Sequence, residues 1–388
     1  MAKFFKYLLC YIIYPFSFLF LRKRGRMSFG CPRNRFDGNP KYLFIEYSRK
    51  GYDVCWLSAD KAVVKQIRQA SLKAEYTFSL KGILRALSSQ WWLVGAYTSD
   101  ILFCLSGGAK VFNLWHGVGI KLCEFNIKSG PLADRYFKKT LRERFYHPEV
   151  YRKPDLMLTA SPFQTDMFSP AFRIKPTQCV EQGYPRNLIL TCPEKERNEF
   201  IEKYEPASIK KDIDALKSFD KVYVYMPTWR DDGSSALRSI DFKALNTILC
   251  TKNEALIIKD HFNNHDDGTY REGNIFHYSP AIDIYPLLPY THTLITDYSS
   301  ILYDYILMDG KSVILFLFDY SFYKGERDFY YPFDDNTIGQ KVYTREQLEK
   351  VIHDGTEALD PLKRKALIEK FWGKNPSYYD FSNYLHLQ

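Results

Sequence analysis

A histidine followed closely by two glycines is the first candidate for chemistry in this chain of 388 residues. The sequence VFNLWHGVGIK occupies residues 111–121, and its apolar start predicts a buried strand that ends just before His116. Ligands of open α/β sheets bind at the carboxyl ends of strands, where Gly117 and Gly119 would allow close approach. An imidazole can take a proton from a hydroxyl group near neutral pH. His116 is therefore a candidate general base, and the alternative is a loop histidine bonded to a neighbouring carbonyl.

The sequence TLITDYSSILYD, at residues 293–304, has the residue types of a phosphate-binding turn. Its apolar start predicts a strand end, and Asp297 and Ser299 are good helix caps, with a helix expected to continue to Gly310. A helix N-terminus presents free N–H groups and the positive end of a dipole, and the hydroxyls of Ser299 and Ser300 add two donors. We therefore predict a phosphate site without a metal; the alternative is a capped helix that binds nothing.

Two more predicted strand ends carry basic or titratable side chains. In IIKDHFNNH, Lys259 and His261 are placed to approach a diphosphate. His261 and His265 have the i, i+4 spacing of a metal-binding pair, but the Asn, Asp and Gly residues of this segment predict a loop and not the helix that such a pair needs. In YMPTWR, the guanidinium of Arg230 can bind phosphate through two parallel hydrogen bonds, and the alternative is a surface arginine. Arg327, in the sequence GER, is a weaker candidate for the same role.

Several motifs of other enzyme classes are absent from the sequence. It contains no GxxxxGKS or GxxxxGKT loop and no GxGxxG after a predicted strand. Asp212 and Asp214 have the DxD form of some metal-dependent glycosyltransferases, but they lie in a region rich in Lys and Glu, which predicts a solvated helix face. No nucleic-acid-binding motif is present, and the basic residues are dispersed, so we expect no nucleic-acid partner.

The elements that must position these residues alternate between strand and helix patterns, twice along the chain. Strands are predicted at residues 53–57, 111–114 and 156–159, and then at 222–226, 255–259, 293–296 and 313–318. Helices are predicted at residues 61–70, from Ser161 onward, within 194–217 and within 345–372, while residues 42–47 fit a helix or a strand end. This pattern predicts an α/β protein with two doubly wound domains that face a cleft.

The first 28 residues are predicted to associate with a membrane. Residues 4–21 are strongly apolar and are followed by a basic cluster of Arg22, Lys23, Arg24 and Arg26. Pro15 interrupts the segment and its tyrosines suit a headgroup interface, which favours a monotopic anchor on anionic lipid. A membrane span and a buried N-terminal helix are the alternatives.

The composition fits a cytoplasmic protein with an anionic partner. The formal net charge is +9, which by itself favours an anionic partner, a class that includes membrane surfaces, phosphorylated substrates and nucleic acids. The eight cysteines show no CxxC spacing, as expected of reduced thiols rather than of a disulfide framework or a zinc site.

Six sequence blocks, in this order, resemble the CDP-glycerol glycerophosphotransferase family, which includes primases and polymerases of wall teichoic acid and enzymes of phosphate-linked capsules. The blocks are FNLWHGVGIK, EQGYPRN, YMPTWR, IIKDH, LLPYTHTLITDYSSILYDY and GERDFYY. The resemblance also includes NPKYLF at residues 39–44, and it extends from about residue 29 to the C-terminal helix. It implies a GT-B architecture, with a membrane-associating segment (1–28), an acceptor domain (29–184) and a nucleotide-donor domain (185–388).

The resemblance also implies a reaction and the residues that perform it. Glycerol phosphate would pass from CDP-glycerol to a hydroxyl of a lipid-linked or polysaccharide acceptor, with release of CMP. His116 matches the proposed general base and His261 a second essential histidine. The residues expected to bind the donor are Gly117, Arg230, Lys259, Asp297, Ser299, Ser300 and Arg327. No cofactor is expected, although a Mg²⁺ ion held loosely by the diphosphate stays open.

The same resemblance places the protein at the cytoplasmic face of the membrane as a peripheral enzyme of cell-envelope synthesis. The chain departs from the family pattern where Leu188 follows Asn187 instead of an aspartate, and where Phe262 follows His261 instead of a proline. These departures leave open CDP-glycerol or CDP-ribitol as donor and primase or polymerase activity. The sequence does not fix the oligomeric state, so a homo-oligomer also stays open. A GT-B glycosyltransferase with a nucleotide-sugar donor and a non-catalytic membrane-bound scaffold are the alternative functions.

Overall fold

The computed structural model describes two compact α/β units, and the chain passes between them more than once. The described residues are 2–228, 240–259, 269–320, 329–374 and 376–386. Among these, the first unit comprises 2–116, 123–188 and 376–386, and the second comprises 117–122 and the described part of 189–374.

The first unit is built on a parallel seven-stranded sheet. Its strands are β1 (Lys23–Gly30), β2 (Val54–Ser58), β3 (Ala74–Tyr76), β4 (Ser89–Val94), β5 (Lys110–Asn113), β6 (Leu156–Thr159) and β7 (Cys179–Glu181). Their order is β3-β2-β1-β4-β5-β6-β7, and every neighbouring pair is parallel. The strand order reverses direction between β1 and β4, and such a switch point is where doubly wound sheets bind ligands beyond the carboxyl ends of their strands.

Helices connect these strands, and side-chain caps begin several of them. They are α1 (Ala2–Phe16), α2 (Gly38–Arg49), α3 (Lys61–Gln69), α4 (Leu80–Ser88), α5 (Ala133–Tyr136), α6 (Leu141–Tyr146), α7 (Pro148–Tyr151) and α8 (Pro162–Phe172). Asp60, Ser79 and Ser161 accept hydrogen bonds from backbone N–H groups in the first turns of α3, α4 and α8. Each cap satisfies a donor that the helix itself leaves unpaired.

The second unit is built on a seven-stranded sheet of similar, mostly parallel topology. Its strands are β8 (Lys221–Met226), β9 (Glu254–Lys259), β10 (Tyr270–Glu272), β11 (Ile275–Tyr278), β12 (Thr293–Thr296), β13 (Ser312–Phe316) and β14 (Gln340–Val342). The order is β10-β11-β9-β8-β12-β13-β14, in which β10 and β11 form an antiparallel hairpin and the other neighbours are parallel. The expected α/β class, with two doubly wound parallel sheets, is therefore confirmed.

Two helical regions predicted in the second half of the chain are each divided into shorter helices. The helices of this half are α9 (Leu188–Thr191), α10 (Glu194–Tyr204), α11 (Ala207–Leu216), α12 (Phe242–Thr251), α13 (Ile301–Tyr305), α14 (Arg345–Asp354), α15 (Pro361–Trp372) and α16 (Ser382–Leu385). The region 194–217 is divided before Pro206, the N-cap of α11, because proline lacks the N–H that an interior helical residue donates. Gly355, with a φ of 104°, ends α14 and divides the region 345–372.

The predicted membrane-associating segment of residues 1–28 extends too far along the chain. The central strand β1 begins at Lys23, so the end of that segment belongs to the first sheet. Arg22 donates to the carbonyl oxygens of Ala86 and Leu105, and Arg26 forms an ion pair with Asp53 at 2.9 Å. These two members of the basic cluster therefore stabilise the sheet, because their charges are engaged within the protein, whereas Lys23 and Arg24 are exposed.

Residues 376–386 follow the second unit in sequence but pack in the first. The backbone N–H of Gly183 donates to Tyr378 O at 2.8 Å, and the buried Phe381 ring meets Phe112 of β5 edge to face, with centroids 5.2 Å apart. The prediction that residues 185–388 form one domain is therefore wrong for its last segment, because residues 376–386 belong to the first unit. Residues 42–47, whose class the sequence left open, lie within α2.

Candidate active site

His116 lies just beyond the carboxyl end of β5, where the sequence places a candidate base. Its Nδ1 is 3.2 Å from the carbonyl oxygen of Gly95, which follows β4. A carbonyl oxygen only accepts hydrogen bonds, so this contact requires the proton on Nδ1 and leaves the lone pair of Nε2 free. The residue as a whole keeps solvent exposure, although its ring packs against the indole of Trp115.

The protein around His116 favours the neutral imidazole. The pKa of His116 is lowered to about 4, mainly by desolvation and to a smaller extent by the positive charges of Arg186 and Arg35, although the hydrogen bond to Gly95 acts in the opposite direction. An imidazole with a lowered pKa is neutral at pH 7. His116 is therefore in the protonation state that a general base requires.

The residue before the histidine has an unusual backbone. Trp115 has a φ of 50°, in the left-handed region, which costs a non-glycine residue about 1–2 kcal/mol. Its N–H donates to Asn113 Oδ1 at 2.9 Å, and its indole packs edge to face on Phe172 with centroids 4.8 Å apart. The His116 ring lies against the same indole, with centroids 4.0 Å apart. The turn thus sets the direction of the imidazole.

The residues that follow His116 belong to the second unit. Ile120 O accepts from the N–H of Tyr330, and Gly119 O accepts from the hydroxyl of Tyr331, both at 2.9 Å. Gly117 packs against Ser300, because a Cβ built on the glycine would lie 2.6 Å from Ser300 Oγ. The structure therefore brings together Gly117 and Ser300, two of the predicted donor-binding residues.

The turn after β12 differs from the predicted capped helix. Asp297 is buried, and its Oδ1 accepts from the N–H groups of Thr228, at 2.9 Å, and Tyr298, at 2.6 Å. A helix does follow, but α13 has only five residues and takes Ser300 as its N-cap without a side-chain capping bond, so the predicted start at Asp297 or Ser299 and the predicted end at Gly310 are wrong. The reason is a tertiary contact, since the Asp297 carboxylate bonds to the turn after β8 instead of capping α13.

Ser299 and Ser300 are half-buried at this turn. Ser299 Oγ accepts a long hydrogen bond, 3.5 Å, from the N–H of Ile301. Accepting that bond leaves the hydroxyl hydrogen of Ser299 free to donate, and the Ser300 hydroxyl does not cap the helix. The turn thus presents two hydroxyl groups that suit a phosphate oxygen.

The structure gives Lys259 a different environment from the predicted diphosphate contact. Its Nζ donates to the carbonyl oxygens of Ser279 and Ile282, each at 2.6 Å, and so holds the loop that follows β11. Asp212, of the DxD sequence, accepts from the hydroxyl of Tyr278 at 2.7 Å, which is a packing contact within the unit. The remaining candidates, His261, His265, Arg230 and Arg327, lie outside the described residues.

Two residues of the site were missed at the level of sequence. Asn39 and Arg186 both bond to the backbone of the turn that carries His116, as detailed below. Each belongs to a block that resembles the family, NPKYLF for Asn39 and EQGYPRN for Arg186. Those blocks were the only sign of them, because neither residue is near His116 in sequence.

Comparison with known proteins yields a family and similar relatives. Residues 13–378 match the family described as CDP-Glycerol:Poly(glycerophosphate) glycerophosphotransferase. The chain is 27% identical over 336 residues to a teichoic acid poly(glycerol phosphate) polymerase of Bacillus spizizenii, covering 82% of this chain and 80% of the relative. It is 25% identical over 344 residues to a teichoic acid glycerol-phosphate transferase of Staphylococcus aureus, covering 85% and 81%.

A solved structure has the same fold. The wall teichoic acid polymerase TagF, in a crystal soaked with CDPG, superimposes with a TM-score of 0.74 at 21% identity, over 94% of this chain and 89% of that chain. At this level of identity the likeness supports the fold, while the match over residues 13–378 establishes the family.

Proposed function

Because the chain belongs to the CDP-glycerol:poly(glycerophosphate) glycerophosphotransferase family, we propose that it transfers glycerol phosphate from CDP-glycerol to a hydroxyl group and releases CMP, in the synthesis of a cell-surface polymer. The acceptor in this proposal is a lipid-linked or polysaccharide hydroxyl. The observation that carries the proposal is the neutral, exposed His116, placed with its Nε2 lone pair free at the position of the family's WHG block. The GT-B arrangement implied by the sequence resemblance is part of the proposal.

In the proposed reaction His116 acts as general base. Its Nε2 takes the proton of the acceptor hydroxyl as the acceptor oxygen attacks the phosphorus that carries glycerol. The bond between that phosphorus and the bridging oxygen of the diphosphate breaks, and CMP leaves with the electron pair. The reaction needs the attacking and leaving oxygens in line and the charge of the departing CMP neutralised.

The donor phosphates are assigned to the turn after β12. The half-buried hydroxyls of Ser299 and Ser300 donate to phosphate oxygens, and Gly117 allows the close packing that sets the Ser300 hydroxyl. Asp297 and Lys259 hold the surrounding backbone in place. For His261, Arg230 and Arg327 the proposal keeps the roles implied by resemblance, a second catalytic histidine and two arginines that bind phosphate.

We also propose that α1 attaches the enzyme peripherally to the cytoplasmic face of an anionic membrane. No helix among the described residues is long and apolar enough to span a bilayer. One side of α1 packs inward, with Cys10 and Ile13 on a core cluster of the first unit, whereas Phe5, Leu9 and Ile12 are exposed at helical spacing. The exposed cations nearby in the sequence are Lys3, Lys6, Lys23 and Arg24. An apolar helix face bordered by lysines suits the interface of an anionic bilayer.

The test of the donor is thermal stabilisation of the full chain by CDP-glycerol, CDP-ribitol, CMP, UDP and UDP-sugars, followed by CMP release with a lipid-linked acceptor. A ligand that binds only the folded state raises the melting temperature. We expect shifts with CDP-glycerol and CMP and none with UDP. Stabilisation by CDP-ribitol alone would move the assignment to a ribitol-phosphate transferase, and by uridine nucleotides alone to a glycosyltransferase. Binding of CDP-glycerol without turnover on any acceptor would favour the non-catalytic scaffold.

A further inference from the structure

A fully buried asparagine holds the backbone just before His116. Asn39 lies at the start of α2, and its Nδ2 donates to Leu114 O at 2.9 Å and to Trp115 O at 3.1 Å. One amide nitrogen thus donates to two successive carbonyl oxygens. An aspartate of the same shape has no hydrogen to donate when ionised and would place a carboxylate oxygen against them.

A buried arginine extends this network to the histidine itself. Arg186 donates from its guanidinium to the carbonyl oxygen of His116 at 2.8 Å. Its backbone N–H donates to Asn39 Oδ1 at 3.3 Å, so the two residues are connected. Asn39 and Arg186 together therefore bond the carbonyl oxygens of three successive residues, from Leu114 to His116.

These bonds hold a turn that does not form easily by itself. The backbone of Trp115 is in the left-handed region, and its N–H already donates to the side chain of Asn113 at the end of β5. A backbone in a sparsely populated conformation persists only where its surroundings over-determine it. This backbone conformation also sets the direction of the His116 ring, whose Nδ1 faces the carbonyl oxygen of Gly95.

We infer that Asn39 and Arg186 are positioning residues of the reaction, which fix the turn at Trp115 so that the proton of His116 stays on Nδ1 and Nε2 faces the acceptor hydroxyl. The inference rests on the proposed function, because it takes His116 as the base. Neither residue touches the reacting atoms. Arg186 has a second effect, since its charge opposes protonation of the ring.

The first variant that tests this role is Asn39→Asp, with Asn126→Asp as matched control. Asn126 is another amide of the first unit that donates to a carbonyl oxygen, that of Met167 at 3.2 Å, and its hydrogen bond is not to the turn that carries His116. We expect Asn39→Asp to lower kcat for CMP release about 100-fold, since small misplacements of a catalytic group are costly. The KM for CDP-glycerol should change by less than about twofold, because the donor contacts are untouched. Asn126→Asp should keep the wild-type kcat.

The second readout needs no turnover. Long-range ¹H–¹⁵N spectra of the ¹⁵N-histidine-labelled full chain, with the His116 signals assigned through His116→Gln, report which ring nitrogen carries the proton. We expect the Nδ1–H tautomer in the wild type and a mixture of tautomers in Asn39→Asp. An Nδ1–H tautomer retained in Asn39→Asp together with an unchanged kcat would overturn the inference. Loss of the tautomer in a protein that never releases CMP would support the positioning role and overturn the proposed function instead.

Arg186 supplies an independent variant pair in case Asn39→Asp does not fold. Arg186→Lys keeps a positive charge and a donor for the His116 carbonyl oxygen, whereas Arg186→Met removes both. We expect Arg186→Met to lower kcat by about 10- to 100-fold and to raise the pKa of His116 in the same spectra. In Arg186→Lys, both kcat and the pKa of His116 should stay close to their wild-type values. Equal kcat values and equal His116 titrations for the two variants would contradict the role of Arg186.

Discussion

Gly117 and Ser300 are packed so closely that a Cβ built on the glycine would lie 2.6 Å from the hydroxyl oxygen of the serine. The same Cβ would be 3.6 Å from the Cβ of Ser300, which is an ordinary contact. The obstruction is thus the hydroxyl group alone. A hydroxyl can rotate away, so a substituent at Gly117 would turn the Ser300 donor to another direction rather than move the backbone.

We therefore predict that Gly117→Ala weakens donor binding through Ser300. Gly117→Ala and Ser300→Ala should each raise the Kd for CDP-glycerol about 3- to 10-fold, the value of about one hydrogen bond. The double variant should bind no more weakly than Ser300→Ala, because the affected interaction is already absent. Isothermal titration calorimetry of the four proteins measures this cycle, and additive losses would show that Gly117 acts independently of Ser300.

Removal of the imidazole tests the assignment of the base. His116→Gln should lower kcat for CMP release by about 10²- to 10⁴-fold, the usual contribution of general-base catalysis. The melting-temperature shift with CDP-glycerol should persist, because no contact between the donor and His116 is proposed. A variant that retains the wild-type rate would remove His116 from the mechanism.

The lowered pKa of His116 predicts an acid-tolerant rate profile. The base is active when neutral, so kcat/KM falls as the pH drops through the pKa of His116 in the free enzyme. Because the surrounding protein lowers that pKa from 6.5 to about 4, activity should persist well below pH 6.5. Initial rates of CMP release in constant-ionic-strength buffers measure the profile. A loss of activity centred on the ordinary histidine pKa would contradict the predicted environment.

Charged substitutions on the outer face of α1 should release the protein from membranes. Phe5 and Ile12 are 61% and 54% exposed, so Phe5→Glu and Ile12→Glu add charge without disturbing a core. We expect both variants to sediment much less with anionic phospholipid vesicles, since a carboxylate is costly to place at the apolar interface and is repelled by anionic lipid. Leu362→Glu, at a residue that is 79% exposed in α15, is the matched control and should bind vesicles like the wild type. Equal binding by all variants would place the attachment elsewhere.

A buried carboxyl group of the first unit should make stability depend on pH. Glu124 Oε1 accepts from the hydroxyls of Tyr97, at 2.5 Å, and Tyr136, at 3.3 Å. Burial raises the pKa of Glu124 from 4.5 to about 7, although these hydrogen bonds and the charges of Arg135 and Arg173 act in the opposite direction. The folded state therefore prefers the protonated acid. This contribution to stability is complete below the unfolded pKa and is lost as the pH rises through the folded pKa.

Glu124→Gln removes this loss, because an amide keeps an oxygen that accepts from both tyrosines and does not ionise. As the pH rises from 4.5 to about 7, the wild type should lose stability that Glu124→Gln keeps. The difference in the free energy of unfolding between the variant and the wild type should therefore grow by about 1.4 kcal/mol per pH unit, up to about 3 kcal/mol. Urea unfolding at a series of pH values measures the difference. The exposed Glu357→Gln is the control, and parallel curves for Glu124→Gln and wild type would exclude the effect.

Local patterns were sufficient for most of the sheets and insufficient for the bonds that hold the site. The strand at residues 156–159 was predicted at its observed bounds, because an apolar, partly β-branched run between turn residues has few alternatives. β1 was missed because it begins with charged residues, and the partner that neutralises Arg26, Asp53, is 27 positions away. Asn39 and Arg186 are separated by 147 positions. A hydrogen bond over such a distance leaves no periodicity in the sequence, and only a resemblance to known proteins draws attention to its members.

The return of residues 376–386 to the first unit has a consequence for the order in which the protein folds. All seven strands of the first sheet are translated before residue 182, yet the Phe381 ring that packs on β5 is translated after the whole second unit. The first unit thus cannot complete its packing during the synthesis of its own strands. The packing of Phe381 on Phe112 therefore follows the synthesis of the second unit.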